Sequence, residues 1–294
     1  MQIDCVFSGG GIKAYAFIGA LERVKERNLH INRVAGTSAG AIFAALLAAE
    51  YSIDEIREIL FDLQVEKILD PPILNKYMSF IKWISLYRQM GLYKGEKFEE
   101  WIDTLLAHKG VHTFQDIEED SLKIVVSDIS LGKLVILPDD LQRVYGIAPK
   151  HFKIATAVRM SAGFPYFFMP KKLHYADTYS YIVDGGVLSN FPLWVFRRHN
   201  RDKRPVLGLS LSEAVENAPQ LKINQSLDMF RALFSTMMRA HDTRYIAKAK
   251  EQHIVFLPVK QFNSLDYTIN LEEKQQLCSI GYNEMSHFLK TWPK

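Results

Sequence analysis

The stretch Gly36-Thr37-Ser38-Ala39-Gly40 sets a hydroxyl between two glycines at a spacing that suits nucleophilic chemistry. Before it, Ile31 to Ala35 alternates as a strand does; after it, Ala41 to Ala49 is an Ala/Leu-rich run that reads as helix. A serine on such a strand-to-helix turn is held at strained backbone angles, and the flanking glycines let neighbouring backbone pass without a Cβ clash. The following helix turns its unpaired N–H groups and partial positive charge toward any developing anion.

A second element of chemistry follows the apolar segment Ile3 to Phe7. In Ser8-Gly9-Gly10-Gly11-Ile12-Lys13-Ala14, three consecutive glycines make a loop whose N–H groups can converge on one anionic oxygen. Ala14 to Lys25 then reads as helix, with apolar positions at Ala16, Phe17, Ala20, Leu21 and Val24. Gly9-x-Gly11-x-x-Ala14 also fits a dinucleotide fingerprint, which wants a carboxylate at the end of the second strand for the ribose. That strand ends in Val34-Ala35-Gly36, so the dinucleotide reading loses. A third element, Tyr181-Ile182-Val183-Asp184-Gly185-Gly186, delivers an aspartate from a strand end into a glycine turn. Asp-Gly alone is a common turn dipeptide.

Glycine loop, serine elbow and Asp-Gly-Gly, in that order, give a chain that resembles the patatin-like phospholipases, a family of lipid acyl hydrolases. The family's Gly-x-Gly-x-x-Gly matches Gly9 to Ala14 with alanine in the last place, its Gly-x-Ser-x-Gly matches Gly36 to Gly40, and its Asp-Gly-Gly/Ala matches Asp184 to Gly186. The block Arg159 to Pro170 looks like the family's segment ahead of the aspartate, and Gly186 to Pro192 like its continuation. The resemblance implies a Ser38–Asp184 dyad and an oxyanion hole from Gly9, Gly10 and Gly11 with the Ala39 N–H. Lys13, Gly36, Gly40, Gly185 and Gly186 would support the motifs. The substrate class it implies is a lipid ester, a phospholipid or lysophospholipid, cleaved through an acyl-enzyme on Ser38.

The sequence agrees with a dyad. A hydrolase triad wants its histidine on a loop after a late strand. His253 precedes its strand, His241 and His287 lie in helical periodicity, and His199 sits in the charged run Arg197 to Arg204. Burial beside the apolar strand should raise Asp184 from an ordinary aspartate value of about 3.9 and make it a better base. No cofactor is expected and no metal: Cys5 and Cys278 are far apart, and no His/Cys/Asp cluster has ligand spacing. Acyl transfer on a related scaffold is the rival reaction, but those enzymes carry histidine before the nucleophile, where this chain has Thr37. A lipid- or partner-binding protein with a silent site is the rival class, against which the intact Ser38, Asp184 and glycine loop weigh.

Composition points to one domain over residues 1–294 in the cytoplasm, with peripheral contact at the inner membrane surface as an additional expectation. Two cysteines are too few for a disulfide framework, no apolar run approaches the roughly 20 residues of a membrane span, and Met1 leads straight into a strand. A net charge of +3 implies no nucleic-acid partner. Residues 71–92 carry Tyr77, Phe80, Ile81, Ile84 and Tyr87 at helical spacing with basic edges. That is a helix packed on its own domain, or a lid or lipid-facing segment. Met229, Phe230, Leu233, Phe234, Met237 and Met238 read as core or as an acyl-chain groove.

The elements that must position these groups are those of an α/β fold: a three-layer sandwich with a mostly parallel central sheet flanked by helices, its ligand crevice at the carboxyl ends of the strands. Ser52 with Glu55 forms a capping box for a helix. Helices are expected over Lys94 to His108, Pro149 to Met160, Asn224 to Lys250 and from the cap Asn270 to Leu289. Strands are expected at Ser121 to Ser127 with Lys133 to Leu137 beside it, at Pro205 to Leu211 and at Ile254 to Leu257.

Overall fold

The computed structural model describes residues 1–70, 89–196, 204–211, 223, 229, 232–234, 236–237, 253–262 and 269–292. Residues 71–88 of the segment read as a packed helix or a lid, most of the basic run 197–204, and most of the helix expected over 224–250 lie outside the described residues, as do His199 and His241.

Strands β1 (Gln2–Phe7), β2 (His30–Thr37), β4 (Leu122–Asp128), β9 (Val206–Ser210) and β10 (Ile254–Phe256) form the parallel part of an eight-stranded sheet in the order β10-β9-β1-β2-β4. β5 (Lys133–Leu137) and the hairpin of β7 (Lys171–Tyr175) and β8 (Thr178–Asp184) join it antiparallel. A separate pair joins β3 (Gly91–Tyr93) to β6 (Tyr166–Phe168). Seven helices accompany these strands among the described residues: α1 (Tyr15–Glu26), α2 (Ala39–Ala48), α3 (Ile53–Asp62), α4 (Val65–Ile68), α5 (Glu96–His108), α6 (Ile154–Ser161) and α7 (Leu271–Phe288).

Period-2 alternation sorts the sheet into two cores. Ile3, Cys5, Phe7, Val34, Ile124, Val126, Leu207 and Leu209 point to the first, which receives the buried side chains of α1, α2, α3, α5, α6 and α7. Val6, Ala35, Val125, Val206 and Ile254 point to the second, covered by Phe191, Leu193, Val195 and Phe196. No helix among the described residues is long and apolar enough to cross a membrane.

Local signals fix several boundaries. Ser52 and Glu55 make the reciprocal bonds of a capping box at α3, and Asn270 and Glu273 do the same at α7. The helix expected over Pro149 to Met160 is instead two pieces, a 3-10 turn Pro149–His151 and α6. The chain is pinned between them: Ile154 N–H donates to the His112 carbonyl (3.0 Å), and Lys153 forms a bridge with Thr113, which holds Lys153 extended. Tertiary pairing overrides helical propensity here.

The pairing of β4 decides where the site lies. β5 pairs with β4 over Ile124–Asp128, overlapping the positions that β2 uses (Leu122–Val125) and those that β8 uses (Val126–Asp128). A strand has two edges, so β2 and β8 must share the edge opposite β5. They meet head-on along it, with Thr37 opposite Val125 and Asp184 opposite Val126.

Candidate active site

That meeting brings together two motifs that lie far apart in the sequence, the serine elbow and Asp184. β2 ends at Thr37, and the next residue, Ser38, has φ 55° and ψ −124°, the strained conformation of an elbow before α2. Such a conformation persists only when its surroundings hold it. Ser38 N–H donates to Ser161 Oγ (3.0 Å), and Ser161 hydroxyl donates to the Val125 carbonyl (2.7 Å). Gly40 lies so close to β1 that a Cβ there would sit 2.5 Å from the Phe7 carbonyl oxygen, which explains why the elbow needs glycine at that position.

Asp184 arrives from the other side. Its N–H donates to the Gly163 carbonyl (3.0 Å), and its Oδ1 accepts from Gly186 N–H (2.7 Å). Gly185 allows the close approach, since a Cβ there would lie 2.2 Å from the Val125 carbonyl oxygen. The carboxyl group is 2% exposed. Burial pushes its pKa up from 3.8 to about 6, against the opposing pull of the nearby Ser38 hydroxyl and the Gly186 N–H.

The glycine loop crosses over the serine. Ser8 N–H donates to the Leu209 carbonyl, Ser8 Oγ accepts from Leu211 N–H, and Gly9 N–H donates to the Asn190 carbonyl (3.0 Å). A Cβ on Gly9 would lie 3.1 Å from Ser38 Cβ, so the loop passes in contact with the elbow. The Gly9 N–H, expected in an oxyanion hole, is therefore engaged by Asn190. The N–H groups of Gly10 and Gly11 have no acceptor among the described residues, and Ala39 N–H is the first of α2. Lys13 belongs to the 3-10 turn Gly11–Ala14 that follows, and its N–H donates to the Gly10 carbonyl (3.3 Å). Ala14, in the place where the resemblance expects glycine, is buried.

Two residues escape a reading of the sequence. Ser161 carries the bond that fixes the Ser38 backbone; the block Arg159 to Pro170 flags the region, but its partner Val125 is 36 positions away. Arg159 is 1% exposed and donates to the carbonyls of Lys94, Gly95 and Met169, clamping the start of α5 and the end of β6 onto α6. Of the histidines, His253 Nδ1 accepts from the Trp292 indole (3.1 Å) and His287 lies within α7. Of the Met/Phe stripe, Phe234 is buried with its ring 4.7 Å from that of Phe164, whereas Met229, Leu233 and Met237 are exposed. Phe230 and Met238 lie outside the described residues.

A strained serine at a strand-to-helix turn, a buried carboxylate and a glycine loop thus meet at the strand ends of an α/β fold, an arrangement suited to ester hydrolysis. The chain matches the patatin-like phospholipase family over residues 5–197 and belongs to that family. Membership makes it a lipid ester hydrolase. It is 44% identical over 292 residues to the uncharacterized protein YqhO of Bacillus subtilis, covering 99% of both chains. It is 25% identical over 203 residues to a probable lipid hydrolase of invertebrate iridescent virus 6, covering 68% of this chain and 65% of the relative. Among solved structures it shares its fold with VipD of Legionella pneumophila (17% identity, TM-score 0.58, 98% of this chain and 67% of that one). The type III effector ExoU is also similar (17% identity, TM-score 0.52, 99% of this chain and 53% of that one).

Proposed function

We propose that the protein is a phospholipase A or lysophospholipase-type esterase working through a Ser38–Asp184 dyad. The observation that carries this reading is the buried Asp184 carboxyl, brought by β8 against the serine elbow at the end of β2 and raised to about 6. At neutral pH such a group is ionised yet basic enough to take a proton. Asp184 accepts the Ser38 Oγ proton as Oγ attacks the ester carbonyl, and the N–H groups of Gly10 and Gly11, joined by that of Ala39, stabilise the oxyanion. Asp184 returns the proton to the departing alkoxide. Water, deprotonated by the same carboxylate, then releases the fatty acid from the acyl-enzyme.

The test is product identity on phosphatidylcholine and lysophosphatidylcholine vesicles, read by mass spectrometry. Free fatty acid is expected with each. Diacylglycerol or a released phosphorylated headgroup, without fatty acid, would overturn the reading.

Ser161 enters this reaction as a positioning residue. Ser161→Ala leaves the Ser38 N–H without its acceptor and loosens an elbow already under strain. The expected result is a kcat lower by on the order of tenfold with KM unmoved, because the nucleophile shifts while the lipid-binding surface does not. A kcat equal to wild type in that variant would remove Ser161 from the mechanism.

A further inference from the structure

The antiparallel hairpin that delivers Asp184 continues well past the site. Asp184 is opposite Val126, Ile182 opposite Asp128, and the pairing of β8 with β7 runs on to Thr178 opposite Tyr175. At about 3.3 Å per residue, Tyr181 stands about 10 Å and Tyr179 about 17 Å beyond the aspartate, on the side where the parallel strands end. The β4–β5 turn reaches the same level: Ile129 N–H donates to the Tyr181 carbonyl (3.0 Å), and Tyr181 N–H donates to Ser130 Oγ (2.9 Å).

These two tips expose large side chains. Ile129 is 50% exposed, Leu131 41% and Tyr179 41%. The surface is also ordered rather than scattered. Lys172 pairs across the hairpin with Tyr181 and His174 with Tyr179, which places all four side chains on one face. The Tyr179 and Tyr181 rings are 5.3 Å apart, and Lys172 Nζ lies 4.3 Å from the Tyr179 ring centre. Lys133 is exposed at the base of the other turn; Asp177, at the hairpin turn, is the opposing charge.

We propose that this rim docks the enzyme on an anionic lipid bilayer, with Ile129 and Leu131 entering the acyl boundary, Tyr179 at headgroup level, and Lys172 and Lys133 facing the headgroup charge. The proposal rests on the lipid-hydrolase reading above. Exposed aliphatic tips beside tyrosine and lysine match the chemistry of the interface: apolar atoms are drawn in, tyrosine sits where one end is wet, and cations are attracted to anionic headgroups. The exposed Met229, Leu233 and Met237 add apolar surface near the site, since Phe234 between them packs on Phe164, next to Gly163, which holds Asp184. A second copy of the chain is the rival occupant. Strand β7 opens with Lys171 and Lys172 at the end of the sheet order, which disfavours extension of the sheet by another chain.

The experiment is co-sedimentation of the Ser38→Ala protein with phosphatidylcholine vesicles, with and without phosphatidylglycerol. Binding to the anionic vesicles is expected. Ile129→Ser with Leu131→Ser should weaken it by about tenfold or more, and Lys172→Glu by about fivefold, selectively for the anionic vesicles. On the Ser38-intact protein, Ile129→Ser/Leu131→Ser should leave hydrolysis of a soluble nitrophenyl ester unchanged while vesicle hydrolysis falls. Melting temperatures check folding, and Leu131→Ser alone replaces the pair if the pair melts early. Parental vesicle affinity in the folded variants overturns the proposal. So does a dimer in light scattering that dissociates on these substitutions with vesicle binding intact, which would give the face to a second copy. Sedimentation needs no turnover, so a protein that binds through these residues but hydrolyses nothing would sink the functional reading and leave the docking face standing.

Discussion

Ser38→Ala is expected to lower kcat/KM on both a soluble ester and phospholipid vesicles by at least about a thousandfold, with little change in melting temperature. The size follows from what the substitution removes: Oγ is the only heavy atom lost, and on the proposed mechanism it is the one that forms the bond. The stability expectation follows from what remains. The turn is held by the pairing of Thr37 with Val125, by the close contact of Gly40 with β1 and by the bond from Ser38 N–H to Ser161, none of which uses the hydroxyl. Alanine tolerates φ 55° no better and no worse than serine, so the strain is the same in both proteins. Asp184 keeps the bond from Gly186 N–H. The check is a pair of measurements, steady-state rates and labelling by a fluorophosphonate probe, both of which should vanish together. A variant that keeps a tenth of the wild-type rate would place the nucleophile elsewhere.

The serine elbow can be read from the sequence because its requirements are local. Gly36, Ser38 and Gly40 sit within five residues, and the turn they specify is a backbone conformation that few other residue patterns demand. The capping boxes at Ser52 and Asn270 are legible for the same reason, since each closes within four residues. What depends on distant partners is not legible. Gly9 reads as an oxyanion donor by its place in a glycine run, but its N–H meets Asn190, 181 positions later in the chain. Lys153 sits in a stretch with helical composition, and its extended conformation is imposed by Thr113. β7 carries only one buried residue, Leu173, so its alternation is too weak to announce a strand; β8 forms it by pairing. The Ser-to-Asp encounter itself follows, at the level of sequence, only from a resemblance. Its physical cause, two strands ending against each other on one edge of β4, is a property of register that no local pattern encodes.

Asp184→Asn is expected to pull activity and stability in opposite directions. The activity loss should again be on the order of a thousandfold, because an amide cannot take the Ser38 proton while its oxygen can still accept from Gly186 N–H. Stability should rise at neutral pH. Burial holds the folded carboxyl near 6 instead of 3.8, so the charged form is disfavoured in the folded state. A raised folded pKa contributes stability that is present below the unfolded value and lost as pH climbs through about 6. Raising the carboxyl that far corresponds to about 3 kcal/mol at most, given up by the wild type at pH 7 and above and recovered by the neutral amide. The same displacement sets the rate profile: kcat/KM of the wild type should climb with pH, reach half its plateau near 6 and stay level above it, since only the ionised carboxylate is a base. Thermal melts of both proteins from about pH 4 to about pH 8 should show Asp184→Asn gaining on wild type as pH rises, with the residual activity of the variant lacking the limb near 6. A variant that melts lower than wild type at the alkaline end, or that keeps the acid limb, would mean that Asp184 is a structural carboxylate and that another group takes the proton. On the proposed mechanism one buried carboxylate carries both the base and a standing loss of stability, and the loss is what makes the base strong enough to act.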